Sequence, residues 1–389
     1  MALNKVRGEM VDLNSTGNTK GLKMPSGTAF PSGENAVQGM IRNDTNQTSE
    51  GASSTMQHYN GSSWKNFVNI TPQATFEVLM AGGGGGTGTS AGGGGGGAGG
   101  ILTGSLTIDK GTQIAITVGN GGSGNGSQTY ATVGVNGDDT VLAISGGTTY
   151  TADGGGGGGA NNSGQSTGNG GSGGGNGGYG IGGSDSGQGT STQTNQNGSE
   201  GNLTGHGNNG GATSGVNSPC CFYVGAGGGG AGTAGSPTQN SAGYGGAGGD
   251  GIVSTILSTS DVSTYISASL VDGGNVYFGG GGGGGSENNF SATFNAPGGK
   301  GGGGDGVGGA SPIVGNNGID YSGGGSGGSN NTVTGLSNRG SGGKGVVIIR
   351  VLESNKGTAA SSGTVESFLA SDNNNFRIFI FKDSGTYTV

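Results

Sequence analysis

The sequence predicts an all-β chain built around packed polyglycine-II helices, fibrous and low in α-helix. Three observations carry that expectation. Of 389 residues, 106 are Gly and 7 are Pro, while 28% are hydrophobic and 9% are charged. Short β-branched segments alternate with unbroken glycine runs such as Gly92–Gly97, Gly154–Gly159 and Gly279–Gly285. Inside several runs the non-glycine residues stand three apart, as in Tyr244, Ala247 and Asp250. Glycine costs about 1 kcal/mol relative to Ala in a helix interior, so a chain this rich in it is not an ordinary helical or α/β enzyme.

Glycine density divides the chain into residues 1–70, 71–352 and 353–389. In the first part, Gly39–Asn43 and Met56–Tyr59 read as short strands. Asn60-Gly61 supplies the positive φ of a tight hairpin turn before Trp64–Val68. Trp64, the single Trp, is expected to anchor a small core there. So short a module buries little apolar area, which points to attachment or oligomerisation. In the second part, Thr75–Met80 leads straight into Gly82–Gly86. Ser105–Ile108 and Gln113–Val118 read as a hairpin about Asp109-Lys110-Gly111, with Leu106, Ile108, Ile114, Ile116 and Val118 on one face. Thr140–Ile144 and Ile252–Leu257 are further strands. Lys344–Val351 is a continuous apolar run, expected to be covered on both faces. Phe376–Phe381 and Thr386–Val389 are the strand signals of the third part, a C-terminal β segment.

Collagen is excluded, because its Gly recurs at every third position beside abundant Pro. A flexible linker is the compositional alternative. Two features weigh against it: the runs lie between strands, and the three-residue spacing recurs at Ala98/Ile101, Asn176/Tyr179, Val307/Ala310, Ser326/Ser329 and Ser341/Lys344. That spacing matches a polyproline-II-type helix of three residues per turn. Its N–H and C=O groups point sideways and must find partners on neighbouring helices. Two positions in three then approach a neighbour too closely for a Cβ, and the third, free to face solvent, can be Tyr, Asn, Ser, Asp or Lys.

Net charge is −8, and the 14 Lys and Arg are scattered, so no nucleic-acid footprint is expected. No apolar stretch approaches the ~18 residues of a membrane span. Met1–Gly17 has Lys5 and Arg7 but no apolar core, so no secretory signal is expected. The adjacent Cys220-Cys221 form neither a disulfide framework nor a zinc site. His58 falls on a hairpin strand, His206 in a polar loop and Asp138-Asp139 in a solvated turn. No nucleophile stands beside a base, and no catalysis, cofactor or metal is expected. Isolated aromatics stand between or beside the runs: Tyr179, Phe222, Tyr223, Tyr244, Tyr277, Phe290, Phe294 and Tyr321. Each alone could cap the lattice. Together, among Asn, Ser and Gly, they have the composition of a binding surface. Polar stretches such as Thr190–Asn197 suit sugar hydroxyls and solvent alike.

The path from Phe76–Gly86, through Leu102–Val118 and the glycine clusters, to Gly342–Arg350 resembles the glycine-rich domain of bacteriophage tail fibres. Residues 39–67 resemble a short β module that recurs in phage fibre proteins. Phe379–Val389 is similar to a fibre segment that more often precedes the glycine domain. The resemblance implies a virion tail fibre or distal adhesin, made in the host cytoplasm, that touches a glycan or outer-membrane protein of the host. In T-even-type adhesins of this kind, polyglycine-II helices stack and the connecting loops form receptor-binding tips. The resemblance further implies other phage tail proteins as partners through residues 1–70, and a homotrimer or single copies on a trimeric fibre. The alternative is a structural fibre or matrix component that binds no receptor; a fibre-bound depolymerase is a third.

Overall fold

The computed structural model describes residues 41–44, 55–59, 62, 64–66, 72–88, 92–124, 132–160, 167–178, 187–213, 223–238, 244–287, 295–309, 314–330, 339–361 and 363–389. The turn Asn60-Gly61, the residues Gly39, Met40, Phe67, Val68 and Ala310, and the pair Cys220-Cys221 fall outside them, as does the side chain of Trp64. The chain divides into two units, Met1–Thr71 and Pro72–Val389. In the first, β1 (Ile41–Asp44), β2 (Thr55–Tyr59) and β3 (Trp64–Asn66) form an antiparallel sheet in which Tyr59 faces Trp64.

The second unit contains β4 (Gln73–Ala81), β5 (Ile101–Asp109), β6 (Gln113–Thr117), β7 (Thr140–Ile144), β8 (Thr149–Ala152), β9 (Gln196–Gly198) and β10 (Gly201–His206). There follow β11 (Ile252–Ser254), a one-turn helix α1 (Thr259–Val262), β12 (Val271–Asp272), β13 (Asn275–Phe278), β14 (Ser286–Glu287) and β15 (Gly308–Gly309). The chain closes with β16 (Val346–Leu352), β17 (Thr358–Ser361), β18 (Val365–Leu369), β19 (Phe376–Phe381) and β20 (Gly385–Thr388). A seven-stranded sheet has the order β18-β19-β16-β4-β5-β10-β9, and a five-stranded sheet the order β17-β20-β6-β7-β8.

The two sheets face each other across one apolar core. Phe76, Val78, Met80, Leu106, Val347 and Ile349 from the larger sheet meet Ile114, Ile116, Leu142, Tyr150 and Tyr387 from the smaller. Tyr387 lies edge-on to Phe76 and Phe379, and its hydroxyl accepts from the Gly357 amide at 2.9 Å. β16 is covered on both sides, as its unbroken apolar run predicts. Val347, Ile349 and Val351 enter the inter-sheet core, while Val346 and Ile348 join a second core with Leu257, Val262, Leu270 and Phe278. That second core places the Ile252–Phe278 segment against the outer face, where Leu79, Ile101, Ile348 and Ile380 meet it. Its helix was not anticipated, although Ser258 signals it: the hydroxyl accepts from the Asp261 amide at 3.0 Å.

One expectation about the strands needs correction. Ser105–Ile108 and Gln113–Val118 do not form a hairpin, because β5 pairs with β4 and β10 while β6 pairs with β20 and β7. The turn between them crosses from one sheet to the other. It is held by Lys110 N–H donating to Pro72 and Gly111 N–H to Val389, each at 2.7 Å. Period-two alternation is identical in a hairpin and in a crossover, so the apolar residues reach one core either way. Residues 353–389, in turn, supply two strands to each sheet, and their Phe379, Phe381, Tyr387 and Val389 lie in the inter-sheet core.

The glycine runs rise from the strand ends as hydrogen-bonded rods, and run 92–100 shows the rule. Gly93, Gly96 and Gly99 donate to Ser329, Ser326 and Gly323; Gly94, Gly97 and Gly100 donate to Gly159, Gly156 and Asp153; Gly95 and Ala98 donate to Ala226 and Gly229. Its carbonyls accept on the intervening sides: Gly93 and Gly96 from Gly285 and Gly282, Gly95 and Ala98 from Gly175 and Ser172, Gly97 and Gly100 from Gly85 and Gly82. These bonds are 2.8–3.1 Å long. Every third residue addresses the same neighbour, which is the signature of a threefold helix. Six runs therefore surround this one. A Cβ on Gly95 or Gly96 would overlap the carbonyl oxygen of Gly282 or Gly85.

The third position faces solvent on some runs and is enclosed on others. Tyr244 is exposed and Ala247 and Asp250 are partly exposed, but Ala98, Asn176, Ser326 and Ser329 are fully buried. A peripheral run has an open side; an interior run has none, and its third residue must be small or find a partner. Asn176 donates to the Thr213 hydroxyl at 2.9 Å, and the Ser329 hydroxyl accepts from the Gly315 amide at 3.3 Å.

We expect Gly96→Ala to destabilise the second unit by about 3 kcal/mol or to prevent folding, because the colliding atoms are main chain. Ala247→Ser, on a partly exposed run, should change stability by less than about 0.5 kcal/mol; chemical denaturation measures both. Glu353 offers a separate check. Hydrogen bonds from Arg377 and then from Lys356 hold its carboxyl at about 2, below the ordinary 4.5. Its contribution is therefore complete above pH 4.5 and is lost as pH falls through about 2. Carboxyl NMR titration should place the midpoint there and move it back towards 4.5 in Arg377→Ala; a wild-type midpoint near 4.5 would contradict the clamp.

Candidate functional site

Run direction sets where a surface can form. Gly82 leaves β4 beside Gly100, which enters β5, while Gly178 and Tyr223 lie against Gly92 at the other end of the same rods. The pattern repeats: Gly86 bonds to Gly158 and Val135, and Gly93 to Gly285 and Ser329. Runs thus alternate between leaving the sheets and returning to them. The stretches that join an outgoing to a returning run are attached at the end remote from the sheets, among them 179–186, 214–222 and 288–294.

The eight aromatic candidates separate on this geometry. Tyr179, Phe222, Phe290 and Phe294 belong to those joining stretches and lie outside the described residues. Tyr223 and Tyr244 are the first described residues after two such stretches, 214–222 and 239–243; Tyr223 is half-buried and Tyr244 is 41% exposed. Tyr277 and Tyr321 stand at the opposite, sheet-proximal end. Tyr277 belongs to β13, and the Lys300 ammonium lies 5.5 Å from its ring centre. Tyr321 has φ 63° in the turn between two runs. Its ring packs on the outer core beneath the Lys382 ammonium at 5.4 Å. Packing and a cation thus hold the one described non-glycine residue with positive φ. The structure does not bring these two together with Tyr223 and Tyr244.

Other polar candidates serve the lattice itself. Where a run lacks a neighbour, side-chain oxygens stand in for the missing carbonyl. Asn136 accepts from Gly157 N–H, Asn169 from Thr190, Asn209 from Ser191, Asn317 from Ser341 and Asp305 from Gly298, all at 2.8–2.9 Å. Asp139 accepts from Gly154 in the same way at 2.8 Å, and Asp138 accepts from the Asn120 amide at 3.3 Å. That pair sits in extended chain before β7, not in a turn. Within Thr190–Asn197, Gln193 and Gln196 accept from the amides of Asp153 and Thr151, each at 2.8 Å, alongside the edge strand β8. These side chains satisfy the protein's own backbone. Sequence reasoning missed this role, and its signal is an Asn or Asp directly before a Gly, as at Asn136, Asn169, Asn209, Asp305 and Asn317.

His206 also differs from expectation. It ends β10 opposite Ile101, and its Nε2 lies 3.0 Å from the Thr103 hydroxyl. Burial lowers its pKa below the ordinary 6.5, so the imidazole is neutral at pH 7. Among the described residues, no three His, Cys, Asp or Glu gather as a metal site, and no helix is long and apolar enough to cross a membrane.

Comparison with known proteins matches one family model, described as a glycine-rich domain, over residues 62–352. No curated protein and no solved structure matches the chain. The match spans most of the sequence and covers the runs whose main chains interlock, so this chain belongs to the glycine-rich domain family.

Proposed function

We propose that the protein is a phage tail fibre or adhesin component that attaches a virion to the surface of its bacterial host. The observation that carries this reading is the alternation of run direction. It gathers many chain connections at one end of a stiff body, and six of the eight aromatic candidates lie within or directly beside those connections. A rigid scaffold presenting variable connections is a common way to build a recognition surface. The resemblance to phage fibre domains supplies the setting: residues 1–70 join the chain to other tail proteins, and the remote end meets a host glycan or outer-membrane protein. A homotrimer, or single copies on a trimeric fibre, fits that setting.

The second reading is a structural fibre component of a virion or extracellular matrix that binds no receptor. It is favoured by the inward use of so many polar side chains, which leaves the lattice flanks saturated.

Competition separates the two. Saturating amounts of the folded chain should block adsorption of the parent phage to its host cells. Tyr244→Ala should weaken the block by roughly tenfold, the scale of a single interface aromatic. Tyr277→Ala, at the sheet-proximal end, should leave it unchanged. Unaltered adsorption in the presence of folded protein would favour the structural reading.

A further inference from the structure

We propose a second binding site on the sandwich: the trough between β11 and the adjoining polar face of β4 and β5 takes a neutral, hydroxyl-rich glycosyl unit. The trough has a volume of about 370 Å³, within the usual range of small-molecule sites, roughly 300–1,000 Å³.

Its floor follows from strand register. Glu77 faces Ser105 and Leu79 faces Thr103 across β4 and β5, so all four belong to one side of the sheet. The apolar part of that side is covered by the Ile252–Phe278 segment, and the polar part is left beside it. His206 closes one end through its contact with Thr103. Residues 252–256 form the wall, with Val253 51% exposed. That wall is fixed from behind. The Arg350 guanidinium donates to the Thr255 and Ile256 carbonyls at 3.5 and 3.4 Å while it pairs with Asp372 at 3.0 Å. The Ser254 hydroxyl accepts from the Ile256 amide at 3.3 Å.

The lining selects a class of ligand. It contains no Lys or Arg, Glu77 is its one carboxylate, and the Arg350 guanidinium, opposite Glu77 in the β4–β16 register, is paired with Asp372, so phosphate, sulfate and carboxylate ligands meet no free cation there. One carboxylate and one imidazole are too few for a divalent cation. What remains is a charged acceptor, the hydroxyls of Thr103, Ser105 and Thr255, and an imidazole that is neutral at pH 7. A sugar hydroxyl donates to the carboxylate in a charge-assisted bond and exchanges bonds with the serine and threonine hydroxyls. The C–H face of the ring lies on Val253. The inference stands apart from the attachment reading, because a chain that blocks no adsorption can still bind a sugar here.

The test is NMR titration of the isotope-labelled full chain with methyl β-D-glucopyranoside and methyl β-D-galactopyranoside. Methylammonium chloride tests whether the carboxylate instead prefers an amine. At least one glycoside should shift the amides of Thr103, Ser105 and residues 253–255 and the His206 ring, saturating with a Kd of about 1–10 mM. Glu77→Gln should weaken binding roughly tenfold through loss of the charged acceptor. Ser105→Trp, which fills the trough from an exposed position, should abolish it while the glycine amide shifts confirm the fold. The proposal is overturned if neither glycoside shifts these residues at about 100 mM, ten times the weakest expected Kd. It is equally overturned if the shifts survive Ser105→Trp, or if methylammonium binds more tightly than both glycosides.

Discussion

Main-chain hydrogen bonds laced sideways between threefold glycine helices are the constraint on which the rest of this molecule depends. An α-helix bonds to itself and a strand bonds to two neighbours, but a residue in this helix turns 120° from the last and must find a partner in a new direction. Run 92–100 meets that demand with three neighbours that accept from its amides and three that donate to its carbonyls. The same geometry forbids side chains where rods touch, since a Cβ on Gly95 would occupy the place of the Gly282 carbonyl. Glycine is thus a packing requirement here. It is also a cost, because each ordered glycine gives up more backbone entropy than any other residue. A hydrogen bond returns about 0.5–1.5 kcal/mol net, so an isolated rod gains nothing and the lattice must form as a body.

The sandwich gives that body its starting geometry. β4, β5, β6, β7 and β8 each run directly into or out of a glycine segment, so strand register fixes the height at which each rod begins. The inter-sheet core resembles that of other β-sandwiches in being apolar and continuous. The lattice has almost no apolar interior. Two kinds of cohesion therefore share one chain: side-chain burial near the strands and amide pairing beyond them. At the flanks, Asn and Asp side chains finish the pairing that a missing rod would have supplied, which keeps edge amides from recruiting other chains.

Much of this was legible in the amino-acid sequence, and the parts that were not have physical reasons. β16 could be read as doubly covered because Val346–Ile349 offers no polar face. The three-residue period announced the threefold helix. The crossover between β5 and β6 was hidden because alternation reports which side chains share a core and is silent on which strands pair. β9 and β10 were missed because Leu203 is the only large apolar residue between Gln196 and His206, too little for a pattern. His206 was assigned to a loop for the same reason. The buried Ser326 and Ser329 show that spacing gives the period of a rod while its place in the lattice decides what the third residue faces. For the candidate surface, sequence could name aromatics but not the end of the lattice each occupies. Tyr277 and Tyr321 fall at the sheet-proximal end because of strand connections that no local motif encodes.

Amide hydrogen exchange along Gly93–Gly100 tests the lattice most directly, since the three sets of donors in this stretch point at three different neighbours. All eight amides should be protected together and should exchange only with unfolding of the whole unit. Exchange at the rate of an unstructured peptide would contradict the lattice outright. Protection of a single set, with the others open to solvent, would contradict the threefold packing.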